Sequence, residues 1–301
     1  KYAVAVNNGT SALYLSMLAL GISKDDKVIT SANTFVADAN VIKLVRANVI
    51  FCDIDLDTGN LDINHILSLL QNNKNVKAII AVHFAGYPLD MKKLRSICKK
   101  YNVLVVEDGC HALGSSYEDT NNKKYRIGSC KYSDLTTFSF HPIKNITTGE
   151  GGAITTNNKK LYEILIQLRT HGITRDNKKL QNTKLAYSVY ANKKIINQWY
   201  YESQYLSSNF RITDFQCALG LSQLKKINKF KIKRQKLVRE YIKSIDNETN
   251  GEIIFYNYNL NRDIAYHLFC VQINFDSIKG GRVKIMDLLS KDGIGTQVHY
   301  I

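Results

Sequence analysis

The sequence is short of several residue types that mark specialised classes of protein. Its 301 residues include only two prolines, one tryptophan and six scattered cysteines that form no C-x-x-C pair. Such cysteines argue against a disulfide framework and a zinc site, and indicate reduced cytosolic thiols. No apolar run is as long as a membrane span, and the first residues lack the basic-then-apolar pattern of a signal segment. We therefore expect no metal, no membrane partner and a cytoplasmic location.

Acidic residues are also scarce relative to basic ones. The chain carries 41 Lys and Arg against 26 Asp and Glu, a formal net charge of +15. A nucleic-acid-binding protein can have such a balance. The basic residues are nevertheless spread along the chain, as in "KKLRSICKK" and "KKINKFKIKRQK", which are typical of the polar faces of helices. We therefore expect no nucleic acid partner, and an acidic substrate would explain part of the charge.

The first half of the chain alternates strand-like and helix-like segments. Short β-branched runs predict strands, and longer periodic runs predict amphipathic helices. The predicted strands are Tyr2–Val6, Lys27–Ser31, Val49–Asp53, Ala78–Val82, Val103–Val106, Leu135–Phe140 and Gly152–Thr155. The predicted helices are Ser11–Leu20, Phe35–Val45, Leu61–Gln71, Met91–Lys100 and Lys159–Arg169. This alternation predicts an α/β fold with a mostly parallel sheet covered by helices.

The second half is less regular. Residues 177–208 are polar and Tyr-rich without a clear period, which predicts a long irregular segment near a site or a subunit contact. Helical pattern returns over residues 214–245 and predicts a bridge to a small α/β domain. We expect a large domain at residues 1–225 and a small C-terminal domain at residues 226–301. The sequence begins in a strand and stops at "TQVHYI", so we expect the protein to continue at both ends.

One lysine, Lys144, has an unusual place in "FSFHPIKNITTGEGGAI" (residues 138–154). It follows a predicted strand and Pro142, and it precedes a glycine-rich turn. Glycines let a backbone turn tightly and approach a ligand closely. A lysine held there can lose its water and act as a nucleophilic amine. The alternative is a solvated surface charge, which most lysines of this chain must be.

Acidic and imidazole groups follow the strongly apolar run in "VLVVEDGCHALGSSY" (residues 103–117). Glu107, Asp108 and His111 are predicted just beyond the end of a buried strand, where open α/β sheets bind ligands. Asp108 could ligate a metal, contact a ribose or pair with a protonated ring nitrogen. The alternatives are a helix cap for Asp108 and a structural role for His111.

A third stretch, "VNNGTSAL" (residues 6–13), predicts a strand, a turn and a helix start. We expect Thr10 and Ser11 to cap this helix, whose free amides suit a phosphate; an ordinary capped helix is the alternative. Together the three stretches fit pyridoxal 5′-phosphate (PLP). Lys144 would form an imine, Asp108 would keep the pyridine nitrogen protonated, and the turn at Gly9 would hold the phosphate.

The sequence resembles the sugar-nucleotide aminotransferases of the DegT/DnrJ/EryC1/StrS group, which have the fold-type I architecture of PLP-dependent transferases. Six segments resemble family blocks in the usual order, and together they cover nearly the whole chain. They are "NNGTSALYLSMLALG", "HFAGYPLDMKKLRSICKKYNVLVVEDGCHALGSSY", "TFSFHPIKNITTGEGGAITT", "LRTHGI", "NFRITDFQCALGLSQL" and "GIGTQVHY". Six ordered blocks are far more specific than any single motif.

The resemblance implies a role for each matching residue. Lys144 is the Schiff-base lysine, Asp108 pairs with the pyridinium nitrogen, and His111 lies beside the ring or its phenolic oxygen. Phe35, in "NTFVADAN", covers one face of the ring. The alternative for Phe35 is a core aromatic.

The resemblance also assigns the phosphate and substrate sides of the site. Ser139 joins Thr10 and Ser11 on the phosphate, although a plain strand-end hydroxyl is its alternative. Asn209, in "SNFR", reaches the phosphate of the neighbouring subunit, so the resemblance implies a homodimer with shared active sites. Four further residues are expected on the sugar-nucleotide side: His171, Arg211, His299 and Tyr300.

Within the group, "FSFHPIKNITTGEGGA" and "QCALGLSQLKK" most resemble the pseudaminic acid branch. This resemblance implies transfer of an amino group from L-glutamate to C4 of a UDP-linked 4-keto-6-deoxy-N-acetylhexosamine. Alternatives are another nucleotide-linked keto sugar, of the aminoarabinose, perosamine or dTDP-sugar type, and a non-catalytic fold-type I relative. Residues 177–208 are longer than the family pattern, which leaves the substrate more open than the chemistry. Related sugar dehydratases carry histidine where this chain has Lys144, so the lysine favours transamination.

Overall fold

The computed structural model describes residues 1–119, 123–249, 253–256 and 262–300. Its strands are β1 (Tyr2–Val6), β2 (Lys27–Ser31), β3 (Asn48–Cys52), β4 (Val76–Val82), β5 (Leu104–Asp108), β6 (Ser116–Glu118), β7 (Lys124–Arg126), β8 (Leu135–Ser139), β9 (Gly152–Thr156), β10 (Ile173–Thr174), β11 (Tyr187–Tyr190), β12 (Lys193–Ile196), β13 (Glu202–Ser203), β14 (Ile253–Phe255) and β15 (Val271–Ile273). Its helices are α1 (Gly9–Ala19), α2 (Ala37–Leu44), α3 (Ile63–Asn72), α4 (Met91–Lys100), α5 (Lys159–Leu168), α6 (Thr183–Ala186), α7 (Asp214–Leu224), α8 (Ile227–Thr249) and α9 (Gly281–Lys291).

A seven-stranded sheet forms the centre of the fold, in the order β1-β9-β8-β5-β4-β2-β3. The pairs from β3 through β8 are parallel, whereas β9 runs antiparallel to both β8 and β1. The carboxyl ends of β4, β5 and β8 therefore meet at one edge of the sheet. The mostly parallel sheet predicted from the sequence is confirmed.

Helices cover both faces of this sheet because its strands are apolar on both sides. On β4, Ala78 and Ile80 pack into a core with α1, α2 and α5. Their neighbours Ile79 and Ala81 pack into a second core with α3 and α4. Apolar residues that alternate between two cores give the continuous apolar runs that mark a doubly covered strand.

Helix α1 differs from the amphipathic helix that the sequence predicted. It packs against β8 and β9 on one side and against α2 and α5 on others, and most of its residues are buried. A helix that is apolar nearly all round is a buried helix. The prediction of a polar face was wrong, since Ser11 and Ser16 lie in the core and Ser16 donates a hydrogen bond to the Ala12 carbonyl at 2.8 Å.

Three further sequence predictions need correction. Strand β5 runs two residues past its predicted end, so Glu107 and Asp108 are its last residues. The segment 177–208 is not irregular throughout, because β11 and β12 pair as an antiparallel hairpin. The helix predicted over residues 214–245 is two helices, α7 and α8, separated at Lys225 and Lys226.

A third apolar cluster lies beyond the sheet and contains Tyr87, Val238, Ile264 and Tyr266. It joins α8 to the C-terminal part of the chain. Residues 250–252, 257–261 and 301 of the predicted small domain lie outside the described residues, and the division at residue 225 stays a prediction. Among the helices described, none is long and apolar enough to cross a membrane.

Candidate active site

Asp108 and Ser139 end neighbouring parallel strands, β5 and β8, at the carboxyl edge of the sheet. Asp108 is 8% exposed, and its Oδ1 accepts a hydrogen bond from the backbone N–H of Cys110 at 2.9 Å. Its own carbonyl accepts a hydrogen bond from the His83 backbone N–H at 3.2 Å. The carboxylate is thus held at the edge where α/β sheets bind ligands.

Lys144 lies in the turn between β8 and β9 and is half-buried. The next residue, Asn145, is buried, and its side-chain Nδ2 donates to the carbonyls of Leu113 (3.0 Å) and Ala265 (3.1 Å). These bonds hold the lysine turn against the segment after Asp108. Sequence reasoning missed Asn145; an amide directly after the lysine, in a turn predicted to be close to a ligand, was the available signal.

The positive charge of Lys144 acts on three imidazoles around it. Burial and then Lys144 lower the pKa of His111 well below its usual range, and the same two causes lower the pKa of His299. Burial and then the charge of Lys144 also lower the pKa of His267, to about 3. Lys144 and these three rings therefore share one site, in which the rings are neutral near pH 7.

The predicted residues His111 and Tyr300 are in contact. The Tyr300 hydroxyl lies 3.2 Å from His111 Nε2, and burial followed by the charge of Asp108 raises the pKa of Tyr300. His267 packs against His111 with ring centroids 4.4 Å apart, and sequence reasoning missed it. The buried His111 Nδ1 has no hydrogen-bond partner among the described residues. A polar atom of this kind calls for a ligand partner.

The amino end of α1 lies against the end of β8. A Cβ atom at Gly9 would come within 2.7 Å of the Ser139 Cβ, so only glycine permits this approach. The expected caps were wrong: Asn8 is the N-cap and accepts a hydrogen bond from the Ser11 N–H at 2.7 Å. Thr10, which is exposed, and the buried Ser11 lie inside the first turn of α1, directly after Gly9.

Of the residues predicted on the substrate side, His299 and Tyr300 lie in this pocket, whereas His171 and Arg211 do not. Asn209, predicted on the phosphate of the neighbouring subunit, does not lie in it either. His171, Asn209 and Arg211 are exposed, and Asn209 Oδ1 accepts a hydrogen bond from the Arg211 N–H at 3.1 Å. Phe35 is 57% exposed and its ring lies 6.3 Å from that of Tyr300, so it is not a core aromatic. The roles assigned to these side chains stay predictions.

A buried hydrogen-bond network lies behind Asp108. Glu107 accepts hydrogen bonds from Ser133 Oγ and, at 3.2 Å, from Thr136 Oγ1, and it lies 3.0 Å from His83 Nε2. The Leu89 N–H donates to His83 Nδ1 at 3.1 Å, so Nε2 carries the ring proton and donates it to Glu107. This network ties β4, β5 and the approach to β8 together.

The residues at this edge fit PLP. A lysine, a buried carboxylate, a glycine-dependent approach between α1 and β8, and an unpartnered imidazole nitrogen all lie around it. These groups match the aldehyde, ring nitrogen, phosphate and phenolic oxygen of one cofactor. The site and the sheet define the class of fold-type I PLP-dependent transferases.

The comparisons place the chain within that class. The model of the DegT/DnrJ/EryC1/StrS aminotransferase family matches residues 1–301, and the chain belongs to this family of PLP-dependent enzymes. The chain is 36% identical over 302 residues to the UDP-4-amino-4,6-dideoxy-N-acetyl-beta-L-altrosamine transaminase of Campylobacter jejuni, covering 100% of this chain and 72% of the relative. It is 34% identical over 246 residues to the GDP-perosamine synthase of Escherichia coli O157:H7, covering 82% of this chain and 59% of the relative.

A solved structure gives the same result. Helicobacter pylori PseC, described as an aminotransferase involved in the biosynthesis of pseudoaminic acid, superposes with a TM-score of 0.81 at 30% identity. The match covers 100% of this chain and 73% of the PseC chain. The family, the fold type, the PLP cofactor and the aminotransferase activity predicted from the sequence are confirmed.

Proposed function

We propose that this sugar aminotransferase transfers an amino group from L-glutamate to C4 of a UDP-linked 4-keto-6-deoxy-N-acetylhexosamine. The observation that carries the proposal is a whole-chain similarity to an altrosamine transaminase, together with Lys144 and Asp108 at one sheet edge. The net charge of +15 suits an acidic nucleotide-linked substrate, and the scattered thiols support a cytoplasmic location.

In this proposal PLP is held by residues of the carboxyl edge. Asp108 binds the ring nitrogen, Ser11 and Ser139 with the first amides of α1 bind the phosphate, and His111 Nδ1 donates to the phenolic oxygen. When bound, the cofactor supplies an aldehyde carbon that accepts the amino group and a ring that withdraws electrons. The negative charge of Asp108 keeps the proton on the ring nitrogen and so maintains that withdrawal.

Lys144 has two tasks in this proposal. Its Nζ is the amine that anchors the cofactor, and once released it carries the proton to and from the substrate carbon. The hydrogen bonds of Asn145 hold the backbone of the turn, so the proton moves with the lysine side chain rather than with the loop. The rings of His111, His267 and His299 around Lys144 are neutral near pH 7, because burial and then the lysine charge lower their pKa values.

The substrate side is proposed to be completed by a second subunit. His171, Asn209 and Arg211 are exposed, as is the apolar surface of α7, where Phe215 is 91% exposed. A second copy packed on this surface would bring Asn209 to the phosphate of its neighbour. His299 and Tyr300, in contrast, already lie beside His111 and are proposed to line the sugar-nucleotide side from within the chain.

The experiment that tests the substrate is mass spectrometry of products. The full-length enzyme is incubated with glutamate and a panel of UDP-, dTDP- and GDP-linked 4-keto sugars. The proposal expects an amino sugar, and 2-oxoglutarate in equal amount, from the UDP-linked N-acetylated sugar. Product from the GDP-linked sugar alone would replace it with the second candidate, a perosamine-type substrate, which the 34% identity to GDP-perosamine synthase favours.

A further inference from the structure

A second acidic side chain, Asp38, is fully buried, and the charge of the Asp108 carboxylate acts on it. It lies in the first turn of α2 and is 1% exposed. Its Oδ2 accepts a hydrogen bond from Thr34 Oγ1 at 2.7 Å, while its buried Oδ1 has no hydrogen-bond partner among the described residues. No motif singled out this residue in the sequence, where it reads as an acidic helix start.

The electrostatic neighbours of Asp38 belong to the cofactor site. The charge of Asp108 acts on Asp38, and burial is the larger of the two causes that raise the Asp38 pKa. Burial first, and then the charges of Asp108 and Asp38, also raise the pKa values of Cys110 and Tyr300. Asp38 and Asp108 therefore act on the same two side chains, Cys110 and Tyr300.

Nothing in the described part of the chain neutralises a charge on Asp38. No lysine, arginine or histidine of the described residues forms an ion pair with it. The dipole of α2 stabilises an anion in its first turn. The free energy needed to bury an unpaired charge beside another carboxylate is larger than this stabilisation. A fully buried carboxyl group with one unpartnered oxygen and no cation in an ion pair with it favours the protonated form.

We propose that Asp38 is a neutral carboxylic acid and a positioning residue of the cofactor site that acts through Asp108. With its proton in place, the two side chains carry one negative charge, which is the charge needed to pair with one protonated ring nitrogen. A neutral Asp38 also avoids placing a negative charge on the buried Oδ1, which has no hydrogen-bond partner among the described residues. The inference rests on the proposed role of Asp108.

The groups that face Asp38 come from several elements. They are Thr34, which precedes α2, Asp108 at the end of β5, Cys110 just after it, and Tyr300 from the C-terminal part of the chain. Asp108 is the only other carboxyl group among them. Its removal is therefore the change that should most alter the protonation of Asp38.

The test is infrared spectroscopy of the full-length protein, with and without added PLP, at a series of pH values. A protonated carboxyl group has its own C=O band. We expect such a band at pH 7 in the wild-type protein, its loss in Asp38→Asn, and its retention in the control Asp25→Asn, an exposed acid. In Asp108→Asn the band should titrate at a lower pH than in the wild type. Absence of the band at pH 7, or a midpoint that Asp108→Asn leaves unchanged, would overturn the inference.

Thermal unfolding gives an independent readout. Because the pKa of Asp38 is raised in the folded state above its ordinary value of 3.8, the folded protein holds a proton that the unfolded chain has released. The melting temperature of the wild type should therefore fall as pH rises above about 4. The melting temperature of Asp38→Asn should exceed that of the wild type, by a difference that increases with pH. A margin that is absent or negative at all pH values contradicts the inference. These readouts need no turnover, so they fail separately from the proposed function.

Discussion

The cofactor side and the substrate side of this site are built differently. Asp108 and His111 are 8% and 6% exposed and are surrounded by one chain, whereas Asn209 and Arg211 are exposed. Trp199, in the segment that precedes them, is 71% exposed. Buried polar groups are positioned by their hydrogen bonds, and exposed ones are positioned only when something covers them. The described groups around Asp108 are thus positioned by contacts within one chain, whereas Asn209 and Arg211 are open to solvent, and in the function proposed above a second subunit covers them.

The largest effect is expected from Lys144→Ala on the cofactor side. Turnover should be abolished because the amine that anchors the cofactor is lost, while the fold survives because the turn is held by backbone bonds and by Asn145. Borohydride reduction of the wild-type protein should attach a pyridoxyl group to the peptide that contains Lys144. The control is Lys159→Ala, an exposed lysine. A pyridoxyl group on any other lysine would refute the assignment.

The next effect in size is expected from Asp108→Asn. The amide has nearly the same shape but no charge, so the ring nitrogen loses its proton and the ring withdraws electrons less well. A carboxylate that contributes several kcal/mol to the transition state gives a rate loss of about three orders of magnitude. Steady-state kinetics with saturating PLP measure it. A loss below about tenfold would make Asp108 only a turn-capping residue.

A subunit-mixing experiment tests whether Asn209 reaches the phosphate of the neighbouring subunit. Lys144→Ala and Asn209→Asp should each be inactive as homodimers, the second because a new negative charge faces the phosphate. In a mixed dimer one site carries both changes and the other carries neither. An equal mixture should therefore recover roughly a quarter of wild-type activity. Native mass spectrometry confirms subunit exchange; exchange without recovered activity would remove Asn209 from the neighbouring site.

Substitutions in the two regions should also differ, by a smaller amount, in their effect on the free energy of unfolding. His83→Leu removes a hydrogen bond to the fully buried Glu107 and should lower the free energy of unfolding by about 3 kcal/mol. Arg211→Ala, at an exposed position on the substrate side, should change it by less than about 0.5 kcal/mol. Urea denaturation of both variants measures the difference. Equal losses would show that the two regions are packed alike.

The last expected effect is a dependence of stability on pH. The pKa of His267 is lowered from 6.5 to about 3 in the folded protein, so the unfolded chain binds a proton that the folded chain does not. This contribution is complete above pH 6.5 and is lost as pH falls towards 3. Chemical denaturation between these values should show stability falling more steeply in the wild type than in His267→Phe. Parallel profiles would mean that His267 is not buried as a neutral ring.

Much of the fold could be predicted from the sequence because its signals are local. Alternating apolar runs predicted the sheet strands and α4 with the right boundaries or within a few residues. The groups at the carboxyl edge of the sheet could also be predicted, because each belongs to a short motif. These motifs are a strand end, a lysine before glycines and a polar helix start. The lysine, the strand-end carboxylate and the helix start are indeed gathered at one edge.

What the sequence did not predict depends on distant contacts. Asp38 reads as an ordinary acidic residue at a helix start, and only the packing of α2 buries it near Asp108. His83 and Glu107 lie on different strands, so neither indicates its partner. Asn145 meets the Ala265 carbonyl across 120 residues of chain. Such contacts follow from the tertiary structure and have no periodic pattern.

The pairing of β1 with β9 has a consequence for how the chain is made. Tyr2 pairs with Thr156 and Val6 with Gly152, and β9 is the partner of β1 in the sheet. At the usual pace of 5–20 residues per second, the ribosome needs roughly 7 to 30 s to synthesise the intervening residues. During that time β9 has not been made, so β1, the apolar helix α1 and the turn between them lack the strand that β1 pairs with in the sheet. The segment made first among these elements is therefore among the last to gain its neighbouring strand in the sheet.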